Sequence, residues 1–345
     1  MRVKEGARKI NTQGGAIFIH YDKPLHDKPV PFRGGTKPVQ SPFASIEIRD
    51  FVYTRLIEVS SASRYRNLLI TGEKGLLSRG LKENHIGNYG GLPAEWRERD
   101  HLARMLFEEA NDQFPLADSA LGLPGFWKDN RGIHLWKQKD HLWPRLLIPV
   151  RDECGRIQAC QMRLPFAWDK SLRYLWLSSS VLPQGTGSGS PLHFKFRLTE
   201  LPSDAWIVVV EGVLKADVLS ALRPELHIVA TPCVTANHNA LIELTHGQSI
   251  LLAFDQDFHS NETVCFHLAA LIAKRMRRER TLATTRIALW DARFKGIDDA
   301  ALHDLPITSI SVRGWFNRLS PHFQQIAMTR FSEIGAFPLS RKGTQ

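Results

Sequence analysis

Between about residues 204 and 312 the chain alternates apolar runs with helix-like stretches, and two of the apolar runs end in acids. The clearest are Trp206-Ile207-Val208-Val209-Val210-Glu211-Gly212 and Ile250-Leu251-Leu252-Ala253-Phe254-Asp255-Gln256-Asp257. An apolar run without polar alternation reads as a strand covered on both faces, as in a parallel sheet. The pattern predicts strands at 206–210, 227–230, 250–254 and 286–290, with helices at about 213–222, 236–245 and 261–280 between them. Such β-α-β-α order predicts a parallel sheet with right-handed crossovers. Chemistry in that architecture gathers just beyond the carboxyl ends of the strands. Glu211, Asp255 and Asp257 would therefore share one edge, with Gly212 turning the backbone sharply into the next helix. Three hard oxygen donors suit Mg²⁺ or Mn²⁺ rather than zinc and point to metal-assisted phosphoryl chemistry.

The chain has 345 residues, room for two domains, and its 43% hydrophobic content can supply a proper core. Net charge is +10 and the pI is near 9.6, which favours an anionic partner such as nucleic acid. Cys154, Cys160, Cys233 and Cys265 form no C-x-x-C pair and lack histidines at zinc spacing. They read as buried thiols in a reducing cytoplasm. No apolar stretch approaches the roughly 18 residues that span a membrane. The basic N-terminus (Arg2, Lys4, Arg8, Lys9) has no apolar segment behind it, so no signal peptide is expected.

Four segments follow from the composition. Residues 1–45, rich in Gly and Pro among lysines, read as a flexible basic arm with a short strand at 16–19. Residues 46–200 read as an α+β subdomain. Its first part, to about 135, is mostly helical and includes an amphipathic helix over 100–113. A hairpin then joins 145–152 to 157–164 around Gly155, with a third strand at 172–177 and a flexible loop at 185–190. The parallel-sheet domain covers 201–312, and 313–345 is a helical tail.

Arg145, Arg151, Arg156 and Arg163 are spread over the hairpin, where strand alternation cannot put all four on one face. At least two are expected to contact nucleic-acid backbone or nucleotide phosphate. The basic run 274–280 is expected to face solvent at a helix C-terminus, where cations complement the dipole. Trp127, Trp136 and Trp143 lie near lysines; packing is the favoured reading over stacking on bases. Asp298 reads equally as a helix N-cap or, with Asp299, as an outer acidic loop.

The Glu211-Gly212 and Asp255-x-Asp257 pair resembles the TOPRIM domain of bacterial primases, topoisomerases and some nucleases, which carries Glu-Gly after its first strand and Asp-x-Asp after its third. Further stretches resemble primase catalytic cores. Arg145 to Gln158 is similar to an "F-P-I-x-D-x-x-G-R" hairpin, and Ser190-Pro191-Leu192-His193-Phe194-Lys195 to a "P-x-F-x-K" stretch. Leu77-Ser78-Arg79-Gly80-Leu81 is similar to an "L-x-x-R-G-L" turn, and Lys295-Gly296-Ile297-Asp298-Asp299 to an acidic loop. Lys215 stands where primases carry a further acid.

The resemblance implies an α/β fold in which a TOPRIM domain, a Rossmann-like parallel sheet, follows an α+β primase-like basic subdomain. It implies a DNA primase-like nucleotidyltransferase in replication of a phage or mobile element. Glu211, Asp255 and Asp257 would be catalytic and hold Mg²⁺ or Mn²⁺, with Asp298 and Asp299 assisting a second metal or the nucleotide. Lys195 and Lys215 would join the four arginines in binding single-stranded DNA or nucleoside triphosphates, beside a separate helicase. Two other readings use the same residues: a metal-dependent nuclease, or a non-catalytic nucleic-acid-binding subunit.

Overall fold

The structure, a computed structural model, describes residues 42–73, 75–114, 122–137, 143–165 and 173–336. The elements begin with α1 (Ile46–Val59), α2 (Glu83–Ile86), β1 (Gly90–Leu92), α3 (Trp96–Gln113), β2 (Phe126–Asp129) and β3 (Gly132–Leu135). Next come β4 (Arg145–Arg151), β5 (Ile157–Arg163), β6 (Tyr174–Trp176) and β7 (His193–Phe194). The later part alternates through β8 (Trp206–Glu211), α4 (Val213–Leu222), β9 (His227–Thr231), α5 (His238–Leu244), β10 (Ser249–Ala253), α6 (Glu262–Glu279) and β11 (Thr285–Leu289). It closes with α7 (Ile297–Leu302), β12 (Thr308–Ser311), α8 (Val312–Arg318) and α9 (Pro321–Ile334).

Two compact units interleave along the chain. Among the described residues, the first takes those up to 64 with those in 90–147 and 159–189, and the second takes those in 65–89, 148–158 and from 190 to 336. Segments 65–89, 148–158 and 190–200, placed by sequence in the 46–200 subdomain, thus group with the parallel sheet.

In the second unit the sheet order is β12-β11-β10-β8-β9-β7. The central four strands are parallel, and the edge strands β7 and β12 run antiparallel. Strand alternation explains the uninterrupted apolar runs. Ile207 and Val209 face a layer holding Leu268, Ala269 and Ile272 of α6 and Phe331 of α9. Val208 and Val210 face the opposite layer, with Ala216 and Leu219 of α4 and Ala300 of α7. Each such valine contributes about 1.5–3 kcal/mol by leaving water. Asn261 caps α6 by accepting from Val264 N at 3.3 Å. The four expected strands lie within a residue of their forecast ends. The polar edge strand Thr308–Ser311 was not legible because an edge strand needs no buried run, and β7, though buried, is only two residues long.

Strands β1, β4, β5 and β6 form a second sheet in that order, and β2 and β3 pair as a separate hairpin. That hairpin corrects the helical reading of the region before 135. Gly132, at φ 125°, supports its turn, and Trp127 pairs across to His134. The 185–190 loop also differs from expectation. Ser179 Oγ donates to Phe126 O at 2.6 Å, Thr186 N donates back to Ser179 Oγ at 3.0 Å, and a Cβ on Gly185 would fall 1.9 Å from Ser179 O. Its small residues allow close packing rather than looseness.

Arg277, Arg278 and Arg280 are exposed, as expected for the run 274–280, but Arg275 is not. It is fully buried, donating to Thr285 Oγ1 at 3.1 Å and Thr245 Oγ1 at 3.1 Å and also bonding Gln248 O. Cys160 and Cys265 are buried as expected, whereas Cys154 is exposed and Cys233 half-buried. Among the described residues no helix is long and apolar enough to cross a membrane. Most of the basic arm, its strand at 16–19, residue 172 of the third hairpin strand and the end of the tail beyond 336 lie outside the described residues.

Candidate active site

Parallel pairing of β8 with β10 sets Val210 beside Ala253. One further residue along β8 is Glu211, and two along β10 is Asp255, which opens the short turn Gln256–His259 containing Asp257. The three acids therefore leave neighbouring strands at one edge, as the sequence predicts. Glu211 is driven above its ordinary range first by burial and then by the charge of Asp255, with Asp257 acting in the same direction. Lys215 and a hydrogen bond from Val234 N oppose that rise. The effect of Asp255 and Asp257 on Glu211 is the electrostatic consequence of their proximity.

Two ammonium groups enter the cluster. Lys215, from the first turn of α4, is hydrogen-bonded to Asp255 Oδ1. Lys295 Nζ lies 2.9 Å from Asp257 Oδ2 and 3.6 Å from Asp255 Oδ2, and both carboxylates raise its proton affinity. Asp298, on α7, is buried and bound to Arg79 Nη2 at 2.8 Å. Burial pushes its carboxyl up; Lys215 and Arg79 oppose this, and Asp299 adds to it. A Cβ on Gly296 would lie 2.4 Å from Asp298 Oδ1, 3.4 Å from Lys215 Nζ and 3.5 Å from Asp299 Oδ2. A larger residue there would make the Asp298 carboxylate shift, because three charged side-chain ends meet at this glycine. The N-cap of α7 is Gly296, so Asp298 sits inside the first turn and does not cap.

Five acids (Glu211, Asp255, Asp257, Asp298, Asp299) here face three cations (Arg79, Lys215, Lys295). The surplus is negative, which favours a bound cation. Asp257 Oδ1 and Asp298 Oδ1 are buried with no hydrogen-bond partner among the described residues. Orphaned hard oxygens of this kind fit Mg²⁺ or Mn²⁺. As the side chains stand, no group of three or more His, Cys, Asp or Glu among the described residues is gathered to hold a metal ion; Lys215 and Lys295 pair with the acids instead.

A second buried network lies in the same unit. Asp217 accepts from Lys195 Nζ at 2.7 Å, Tyr89 Oη at 3.0 Å and His193 Nε2 at 3.1 Å. Burial alone would raise the Asp217 carboxyl, but Lys195 and His193 override it and hold it well below the usual range. Arg151 N donates to His193 Nδ1 at 2.9 Å. Lys195 is thus tied to Asp217, while Lys215 is tied to Asp255.

The hairpin arginines do not form one open surface. Arg145 and Arg163 are each only 4% exposed, lying over Trp136 at 4.8 Å and Tyr174 at 6.0 Å. Burial, with Arg99 adding repulsion, lowers Arg145 to about 10. Arg156 Nε is 2.9 Å from Asp152 Oδ2, and Arg151 Nη1 donates to Gly155 O at 2.9 Å. Trp127 and Trp136 are buried, consistent with packing, and Trp143 is exposed. Sequence reasoning assigned no role to Arg79, Lys295, Tyr89, His193 or Asp217. Arg79 and Lys295 lie inside the primase-like stretches, but a charge in a motif does not name the acid it will meet.

No protein-family model matches the chain, and no curated protein matches it. Among solved structures, the RNA polymerase domain of Mycobacterium tuberculosis primase DnaG is similar over 84% of this chain and 91% of its own, at 18% identity and TM-score 0.49. A DNA primase domain from Pseudomonas aeruginosa covers 85% of this chain and 91% of its own, at 19% identity and TM-score 0.49. A DnaG primase catalytic domain bound to ssDNA covers 76% and 78%, at 15% identity and TM-score 0.46. The chain is similar to primase catalytic cores; at these values the likeness assigns no activity.

Proposed function

We propose that the chain is a metal-dependent, DNA primase-like nucleotidyltransferase. The observation that carries this reading is the acidic cluster at the sheet edge, with two buried carboxylate oxygens lacking partners among the described residues. Glu211, Asp255 and Asp257 would hold the cation, with Asp298 and Asp299 beside them. When bound, Mg²⁺ or Mn²⁺ supplies Lewis-acid stabilisation of the charge that develops when a 3′-oxygen displaces pyrophosphate at a nucleotide α-phosphate. The chain's own residues supply the rest. Arg79 fixes Asp298, and Lys215 and Lys295 balance the acids until an anionic substrate and its cation enter. Arg151 and Arg156, the half-buried arginines of the hairpin, would meet nucleic-acid phosphate, together with Lys195. Single-stranded DNA and nucleoside triphosphates are the proposed substrates. Motif resemblance supports the setting: cytoplasmic replication of a phage or mobile element, beside a separate helicase.

A second reading rests on the pairing of Lys215 and Lys295 with Asp255 and Asp257. Acids neutralised within the chain suit a nucleic-acid-binding subunit that needs no cation. The test is incubation of the chain with single-stranded DNA, labelled nucleoside triphosphates and Mg²⁺ or Mn²⁺. Metal-dependent products longer than the input support the transferase. Shorter products make it a nuclease, and DNA binding without turnover makes it a binding subunit.

A further inference from the structure

The first unit contains a cavity of about 700 Å³ that shares no residue with the acidic cluster. Its size lies within the roughly 300–1,000 Å³ of small-molecule sites. The walls are aromatic and cationic, with Trp96, Trp127 and Trp136 among Arg97, Arg104 and Lys137. Counting all basic and acidic lining groups, five Arg and Lys side chains face one acid, Asp100, so the cavity selects for an anion.

The tryptophans are presented in different ways. Trp96, at the start of α3, is 57% exposed, with Arg97 over its ring at 5.4 Å. An indole this open at a cavity mouth is a platform for a planar group. Trp127 is only 6% exposed and stacks on His134 at 4.3 Å with the rings 25° apart. His134 is itself bracketed, Nδ1 3.0 Å from Asp100 Oδ2 and Nε2 2.9 Å from Asp129 Oδ1, so the pair is rigidly held. Trp136 occupies left-handed backbone at φ 44°, which a bulky side chain rarely adopts.

The cavity thus offers an open indole and a surplus of cations. The ligand must therefore be planar enough to stack and anionic. We infer that this cavity binds a nucleotide unit, its base stacked on Trp96 and its phosphate met by Arg97, Arg104 and Lys137. The unit comes either from a free nucleotide or from the end of a single strand, since both present the same base and phosphate.

The experiment is calorimetric titration of the full chain in EDTA, so that the acidic cluster plays no metal-dependent part. The probes are dTMP, dGMP, ribose 5-phosphate and an oligothymidylate of eight residues. Saturable binding of the deoxynucleotides is expected, with ribose 5-phosphate at least tenfold weaker. Trp96→Ala, at an exposed site, should weaken binding about fivefold or more with an unchanged melting curve. Asp257→Asn should bind like wild type, which separates this site from the proposed active site. Binding by the oligomer alone, still weakened by Trp96→Ala, assigns the site to a strand end, whereas binding of dTMP assigns it to free nucleotide. Equal affinity for ribose 5-phosphate, no loss in Trp96→Ala, or no saturation by any probe would overturn the inference.

Discussion

Arg79 Nη2 donates to Asp298 Oδ2 at 2.8 Å, joining residues 219 positions apart in the chain. The Asp298 side chain is 4% exposed and that of Arg79 28%. Removing one member of a fully buried pair costs about 3–5 kcal/mol, and the partial exposure of Arg79 lowers this to about 1–3 kcal/mol. Arg79→Ala is therefore expected to lose that much stability in urea unfolding. Adding Asp298→Asn removes the stranded charge and should restore most of the loss. Equal stability of the wild type and Arg79→Ala would show that the pair is not an organising interaction.

Asp257→Asn should abolish metal-dependent turnover while leaving the fold intact. The substitution keeps the size of the side chain but removes the charge that attracts a hard cation. Loss of a group beyond the direct ligands typically costs about 10–100-fold, so a direct ligand should cost at least about a hundredfold. Initial rates across an Mg²⁺ series, set beside thermal melts, provide the measurement. Turnover that persists would place the chemistry elsewhere.

Glu211 gives a pH signature in metal-free buffer. Burial raises its carboxyl above the ordinary value of 4.5. The folded state therefore holds the proton more tightly than the unfolded state, and stability tied to this group is greatest below 4.5 and declines as pH rises through the folded value. Glu211→Gln removes that decline. Its melting temperature should exceed that of the wild type at about pH 7.5 in EDTA and converge with it near pH 4, while activity is lost. A gap that is constant across pH would contradict the assignment.

Salt dependence reports how many phosphates the chain neutralises. Removing a cation that meets one phosphate of a single strand reduces the slope of log affinity against log salt by about 0.7. Arg151→Ala with Arg156→Ala should thus flatten the slope by roughly 1.4 if both meet phosphate. Fluorescence anisotropy on a labelled oligonucleotide between low and moderate salt measures it. Arg145 and Arg163, being buried, are unsuitable for this test, because their removal would disturb packing.

Local pattern alone dictates the parallel sheet and the location of its acids. The uninterrupted run Ile207-Val208-Val209-Val210 has one physical solution, burial on both faces, and the positions of Glu211 and Asp255 follow from the strand ends. Amphipathic helices such as α3 and α6 were legible for the same local reason. What the charged and aromatic residues do was left to the tertiary structure, since their identities carry no record of the partner. Arg275 reads as a solvent-facing cation in sequence, yet it is buried among Thr245, Gln248 and Thr285. Asp298 reads equally as a cap, yet it faces Arg79 and stands beside Gly296. Such pairings join residues remote in the chain, and packing selects them because a buried charge or donor must find whichever complementary group the fold brings within reach.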